Sequence, residues 1–326
     1  METNTTRTNG RREHLDPLFL DNLSSTLDEL QRLMDAAEPA WGAITGQLGR
    51  AVDQLKQFMS TILSVGSVPE IDDFGMEPRF IETVQPLVEF FYRKWFRVRS
   101  IGIENVPGEG RGLLVANHSG TLPWDGVMLV EAVRGDHPSH RTVRALVENF
   151  IFYFPFLGNI MTRGGAVRAC QENAERLLEA DELVAVFPEG VKGIGKLYRQ
   201  RYHLARFGRG GTIRLAIRTK TPIIPVAIIG AEEIMPMLAK SPWLARLVGL
   251  PYVPITPTFP WLGPLGLVPL PTQWTMRFGE PMEMAQYGEE ALRDRILINR
   301  LNEELRQRVQ GMLDEELAQR RSVFRG

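Results

Sequence analysis

The chain has 326 residues, 44% hydrophobic and 24% charged, with a formal net charge of −1 and a single cysteine. That balance argues against a nucleic-acid partner, which would call for a net positive field. One cysteine, Cys170, excludes an intramolecular disulfide framework and suits a reducing compartment. The apolar content is ample for a core, and the length leaves one large domain with appendages, or two domains, open.

In chain order, residues 1–14 are polar and read as disordered, with no apolar segment of a secretory signal. Leu20, Leu23, Leu27, Leu30 and Met34 then repeat at helical spacing, as do Trp41, Ile44, Leu48, Val52, Leu55, Met59 and Ile62. The two runs predict an N-terminal helical hairpin that packs on the body or on another copy; membrane contact is the other reading. Residues 64–77 break the pattern and read as a linker. Pro78 opens a third helix. Its C-terminal part, Phe90 to Arg97, is aromatic and basic, which suits either a lipid interface or docking on a sheet.

From there the pattern alternates. Strands are predicted at Leu113–Ala116, Val143–Val147, Leu183–Phe187, Ile223–Ile229 and Trp274–Phe278. Helices are predicted at Pro123–Arg134, Ala166–Ala180 and Gly211–Thr219. Phe150–Ile160 is apolar on all sides and reads as buried or membrane-facing. The predicted class is α/β, a largely parallel central sheet flanked by helices, with the N-terminal helical hairpin and a C-terminal helix or pair within 285–320. Leu292, Ile298, Leu301, Leu305 and Met312 are expected to face inward there. The expected divisions are 1–14, 15–77, 78–284 and 285–326.

Leu247 to Met276 carries no charge but seven prolines. Prolines at that density forbid a spanning helix, and lipid does not tolerate irregular backbone with unpaired polar groups. The stretch reads as a loop lying on a bilayer or lining an apolar tunnel. Trp243, Trp261 and Trp274 suit the interfacial zone.

Four segments carry chemistry. Asn117-His118 follows an apolar strand, and Asp125 in the next helix's first turn can reach back to the imidazole. Thr162-Arg163-Gly164-Gly165 sets a forked cation among small residues, suited to phosphate or carboxylate or to a surface ion pair. Phe187-Pro188-Glu189-Gly190 places a carboxylate at a strand end, where ligands meet open α/β sheets. Pro225 inside Ile223–Ala227 marks an edge or bulge and a possible pocket wall. Gly190-Val191-Lys192-Gly193-Ile194-Gly195-Lys196 imitates a phosphate loop, but Leu197 stands where magnesium binding needs Ser or Thr. Lys192, Lys196, Arg199 and Arg201 are instead candidates to meet phosphates of a carrier or head group. No Gly-x-Ser-x-Gly elbow and no zinc-type cluster is present.

In this order and at these distances, the four segments resemble the motifs of the glycerolipid acyltransferase family, over roughly residues 100–280. The sequence departs from it in two places. Six residues separate His118 from Asp125 where the family usually has four, a looser spacing similar to the diacylglycerol-acyltransferase-like branch. Lys192 stands where the family has arginine.

The resemblance implies direct acyl transfer from acyl-CoA or an acyl carrier protein to a glycerolipid hydroxyl, lysophosphatidic acid first among acceptors, with no metal or other cofactor. It implies His118 as general base, Asp125 as its orienting carboxylate, and Arg163, Gly164, Glu189, Gly190, Lys192 and Pro225 as substrate-binding. A neutral acceptor such as diacylglycerol, or a non-catalytic lipid binder of the same fold, are the rival readings. The expected location is peripheral and monotopic on the cytoplasmic face of a membrane.

Overall fold

The computed structural model describes residues 71–119, 122–152, 157–241 and 252–325. The chain divides into two units, 1–68 and 69–326, and the described residues belong to the second. The predicted N-terminal disorder and helical hairpin, Gly120, Thr121 and Trp243 lie outside the described residues.

Residues 71–77, read as part of a linker, are irregular but fastened to the body. Asp72 accepts from Arg144 at 2.5 Å and from the amides of Phe74 and Met76. Helix α1 follows at Pro78–Glu89, with proline in its first turn, where a missing N–H costs nothing. It runs into a π-helical turn, Phe90–Trp95. The wider turn carries Tyr92 and Phe96 fully into the core, with Phe96 stacked on Trp274 at 4.6 Å, while Phe90 stays largely exposed. Of the two readings of this segment, docking on the sheet holds for one face. Trp274 is fully buried and is no interfacial residue.

Strand β1 is Arg99–Ile101, β2 Gly112–Ala116, β3 Val143–Val147, β4 Val167–Arg168, β5 Leu183–Val186, β6 Ile223–Ile229 and β9 Thr275–Phe278. They form one sheet in the order β1-β9-β6-β2-β5-β3-β4. Its pairs are parallel except β6 with β9, so the predicted largely parallel sheet is what the chain builds. The central strands read as continuous apolar runs because both faces are covered. Leu113 and Val115 of β2 face one core, and Leu114 and Ala116 face the other. The first core is closed by α5 (Gln171–Glu179), α7 (Gly211–Thr219) and α8 (Arg295–Gln319); the second by α1, the π turn and α2 (Trp124–Asp136). Along α8, Ile298, Leu301, Leu305 and Met312 face inward as expected. Each such side chain contributes roughly 1.5–3 kcal/mol.

Several local expectations are corrected. The helix expected from Ala166 starts at Gln171, because Val167 and Arg168 pair with Leu146 and Val147 as β4. Phe150–Ile160 contains two short helices, α3 (Asn149–Phe152) and α4 (Leu157–Arg163), in which Gly158 is the buried residue among those described. The chargeless stretch is partly built in. β8 (Val253–Ile255) pairs with β7 (Ala239–Ser241), and Thr272, Trp274 and Met276 are buried.

Pro225 does not mark an edge, but it faces a bulge: Val226 pairs with Phe278 while Ile223 bridges Met282, so the facing chain carries one extra residue there. It lies inside β6, between β2 and β9. Its carbonyl accepts from Gly279 N at 2.8 Å just past the end of β9, so its missing N–H falls where the ladder is interrupted, before it resumes between Ile223 and Met282. Its ring helps crowd Gly279 against Met312 of α8. It aligns with Val115, three residues before His118.

Candidate active site

Strand β2 delivers Asn117 and His118 to the carboxyl end of the parallel strands. Asn117 is fully buried and extends the ladder with its side chain: Nδ2 donates to Ile228 O at 3.0 Å, and Oδ1 accepts from Ile228 N at 2.7 Å. This two-way clamp on β6 fixes the backbone from which His118 projects.

The two residues beyond the usual spacing do not separate the pair. Pro123 takes the N-cap position of α2, and Asp125 stands in its first turn, as expected. Asp125 Oδ2 lies 2.6 Å from His118 Nδ1 and accepts from Ser119 N at 2.9 Å, while Oδ1 accepts from Gly126 N at 2.8 Å. A carboxylate only accepts, so Nδ1 carries the proton and the Nε2 lone pair is left for chemistry. Asp125 is buried, whereas the His118 side chain keeps 18% of its surface. Phe187 packs on the imidazole at 4.6 Å between ring centres.

Glu189 is not aimed at a ligand. Its side chain is fully buried. Oε1 accepts from His118 N at 3.0 Å and Oε2 from Ala205 N at 2.6 Å. Lys196 Nζ stands 3.4 Å from Glu189 and 2.9 Å from Glu232. Burial pushes the Glu232 carboxyl up to about 7, against the pull of Lys196. The glutamate read as a contact for the acceptor is therefore a strut that holds the backbone of His118.

Gly190 carries φ 56° and ψ −145°, a region open essentially to glycine alone, and this turns the chain under His118. Gly193, seen in the sequence as part of a false phosphate loop, is the tightest contact of the site. A Cβ there would stand 2.7 Å from Glu189 Cβ and 2.8 Å from His118 Cβ. Overpacking of this kind costs about 1–3 kcal/mol, and a 1 Å displacement of a reacting group can cost about 10²-fold in rate. Gly193→Ala is expected to lower kcat by about that factor while the protein stays folded. Wild-type turnover in Gly193→Ala, measured beside a thermal melt, contradicts the packing.

The other predicted site residues lie elsewhere. Arg163 ends α4, where Nε meets Glu77 Oε2 at 2.6 Å and the guanidinium lies 4.3 Å from the centre of the Phe80 ring. Its described partners belong to the start of α1, not to the His118 cluster. Gly164 closes the last turn of α4, its amide donating to Ile160 O at 2.9 Å. Lys192 is exposed on the short helix α6 (Val191–Ile194). Lys196 is spent on Glu189 and Glu232. Arg201 stacks on Tyr198 and faces Glu233 at 4.0 Å. Asn117, Gly193 and Lys196 are positioning residues whose parts could not be read from the sequence.

A family model described as Acyltransferase matches residues 97–229. Over 301 residues the chain is 45% identical to an uncharacterized protein of Mycobacterium tuberculosis, covering 92% of this chain and 84% of that one. An uncharacterized protein of Mycobacterium leprae is 47% identical over 257 residues, 78% of this chain and 70% of its own. A human protein named DGAT1/2-independent enzyme synthesizing storage lipids is 25% identical over 185 residues, 55% of each chain. The crystal structure of the 1-acyl-sn-glycerophosphate (LPA) acyltransferase PlsC from Thermotoga maritima superposes with a TM-score of 0.50 at 15% identity, covering 93% of this chain and 99% of that one, which concerns the fold. With its parallel sheet, its strand-end histidine and the family model over residues 97–229, the chain carries an acyltransferase domain and belongs to one family with these mycobacterial proteins.

Proposed function

We propose that the protein moves a fatty acyl group from a thioester to a glycerolipid hydroxyl, with lysophosphatidic acid as first acceptor. The observation that carries this reading is the open Nε2 of His118, its Nδ1 held 2.6 Å from Asp125. Nε2 takes the acceptor's hydroxyl proton as the oxygen attacks the acyl carbonyl. The carbon–sulfur bond breaks, and the imidazolium returns the proton to the departing thiolate. Asp125 keeps the tautomer and stabilises the imidazolium, as carboxylates do in catalytic triads.

Two observations favour a neutral acceptor as a second reading. The guanidinium of Arg163 is engaged by Glu77 and Phe80, and the human relative is named for storage-lipid synthesis. Purified protein given labelled acyl-CoA with lysophosphatidic acid, monoacylglycerol or diacylglycerol separates the two by product. Ester formed on lysophosphatidic acid supports the first reading, and ester on the neutral lipids alone supports the second.

The same reading places the protein on a lipid surface. No helix among the described residues is long and apolar enough to cross a membrane. Trp261, at 74% exposure, stands with Leu262, Leu265 and Val268 in an exposed apolar segment. Trp95 ties this segment to the aromatic turn, its Nε1 donating to Pro269 O at 3.0 Å and its ring lying 6.3 Å from that of exposed Phe90. Apolar burial contributes about 25 cal/mol per Å², so a few such side chains suffice to hold a protein on lipid. Trp261→Asp with Leu265→Asp is expected to abolish most sedimentation with liposomes. Equal binding by wild type and variant removes this segment from the interface.

A further inference from the structure

From Gly190 to Ala231 the chain carries nine lysines and arginines and no acidic residue. Lys196 is taken by Glu189 and Glu232 and Arg218 by Glu175, while Arg201 faces Glu233 at 4.0 Å. Arg206 is exposed, and its guanidinium makes no hydrogen bond among the described residues. It borders a cavity of about 520 Å³ lined by Leu204, Arg206, Asn299, Asn302, Glu303 and Arg306.

The cavity is built rather than incidental. Its loop, residues 202–210, is pinned to α8 at several points. Asn302 Nδ2 donates to Phe207 O at 2.7 Å, Gln310 bonds both Leu204 N and Tyr202 O, and Gly210 packs on Ile298. Arg306 gives Nε at 3.0 Å and Nη2 at 2.6 Å to Glu303, which leaves its Nη1 without a partner among the described residues. Two guanidiniums against one carboxylate leave the cavity positive. Ala205, between the cavity residues Leu204 and Arg206, donates its amide to Glu189, whose other oxygen holds His118 N. One loop thickness and one carboxylate thus separate the cavity from the histidine.

We propose that this cavity receives the phosphorylated nucleotide head of a coenzyme A thioester, whose extended arm carries the acyl carbonyl to His118. This rests on the acyl-transfer reading for the role of the arm. Guanidinium forks match phosphate oxygens in pairs. The cavity is open to solvent, and its volume falls within the range of small-ligand sites, about 300–1,000 Å³. The exposed Asn299 amide adds a donor and an acceptor suited to a base or ribose edge.

The test is calorimetric binding of adenosine 3′,5′-bisphosphate to the full-length protein in detergent, beside steady-state kinetics. Arg206→Gln with Arg306→Gln is expected to weaken nucleotide binding by about tenfold or more, the usual scale for a lost charge-assisted hydrogen bond. It should raise KM for acyl-CoA to a similar extent while kcat at saturating donor holds. Arg206→Gln alone, which breaks no internal bond, should give part of the loss if the double variant folds poorly. Inorganic phosphate at millimolar concentration should compete. Bisphosphate that binds neither wild type nor variant, or binds both alike, overturns the site. Nucleotide bound through these arginines by a protein that forms no ester keeps the site and removes the acyl-transfer reading. Ester formed at an unchanged KM by Arg206→Gln with Arg306→Gln removes the site and keeps that reading.

Discussion

His118→Ala is expected to lower kcat for acyl transfer by about 10²–10⁴-fold, the usual contribution of a positioned general base, with little change in melting temperature. The fold tolerates the change because the imidazole is partly exposed and makes one described hydrogen bond, to Asp125. Without it, Asp125 still accepts from Ser119 N and Gly126 N. The catalytic consequence is large because no other described side chain presents an open imidazole at the strand ends. Steady-state rates with a thermal melt on the same preparation check it. Retention of more than about a tenth of the wild-type rate contradicts the role of His118 as base.

Glu189→Ala should have the larger effect on stability. The change leaves His118 N, Ala205 N and Lys196 inside the protein with one partner fewer each. Breaking a buried charged pair from one side costs about 3–5 kcal/mol. Glutamine is a poor rescue, because two backbone donors reach two different oxygens and an amide offers one. Activity should fall with stability, since the backbone under His118 loses its strut. A Glu189→Ala protein with a wild-type melting temperature contradicts the buried network. A folded Glu189→Ala protein that keeps its rate contradicts the positioning role.

Much of the fold could be read from runs of apolar residues. Gly211–Thr219 and Ile223–Ile229 were predicted with the bounds they have in the structure. Short elements were not legible. Val167–Arg168 is two residues long, and its apolar neighbours fit a helical period, so the pairing with β3 was invisible locally. Arg99–Ile101 and the Ala239–Ser241 and Val253–Ile255 pair were missed for the same reason. Pro225 signals an edge or a bulge in the sequence; the bulge is there, in the chain facing it past Phe278, whereas the strand itself is central.

At the site, the approach of His118 and Asp125 was legible from seven positions of sequence, strand then proline then helix. The partners of Glu189 and Arg163 were not. Ala205 lies 16 residues from Glu189, and Glu77 lies 86 from Arg163. Only the fold says whether such a charge points outward or inward. Gly193 was hidden differently: its role is to have no side chain, and spacing alone matched it to a phosphate loop.

The most direct measurement follows thiol release and ester formation together in one reaction, with purified protein, acyl-CoA and a glycerolipid acceptor. One ester for each thiol, and loss of both in His118→Ala, is the predicted result. Thiol released without ester would make the protein a thioesterase, and ester formed at the wild-type rate by His118→Ala would remove the histidine from the chemistry.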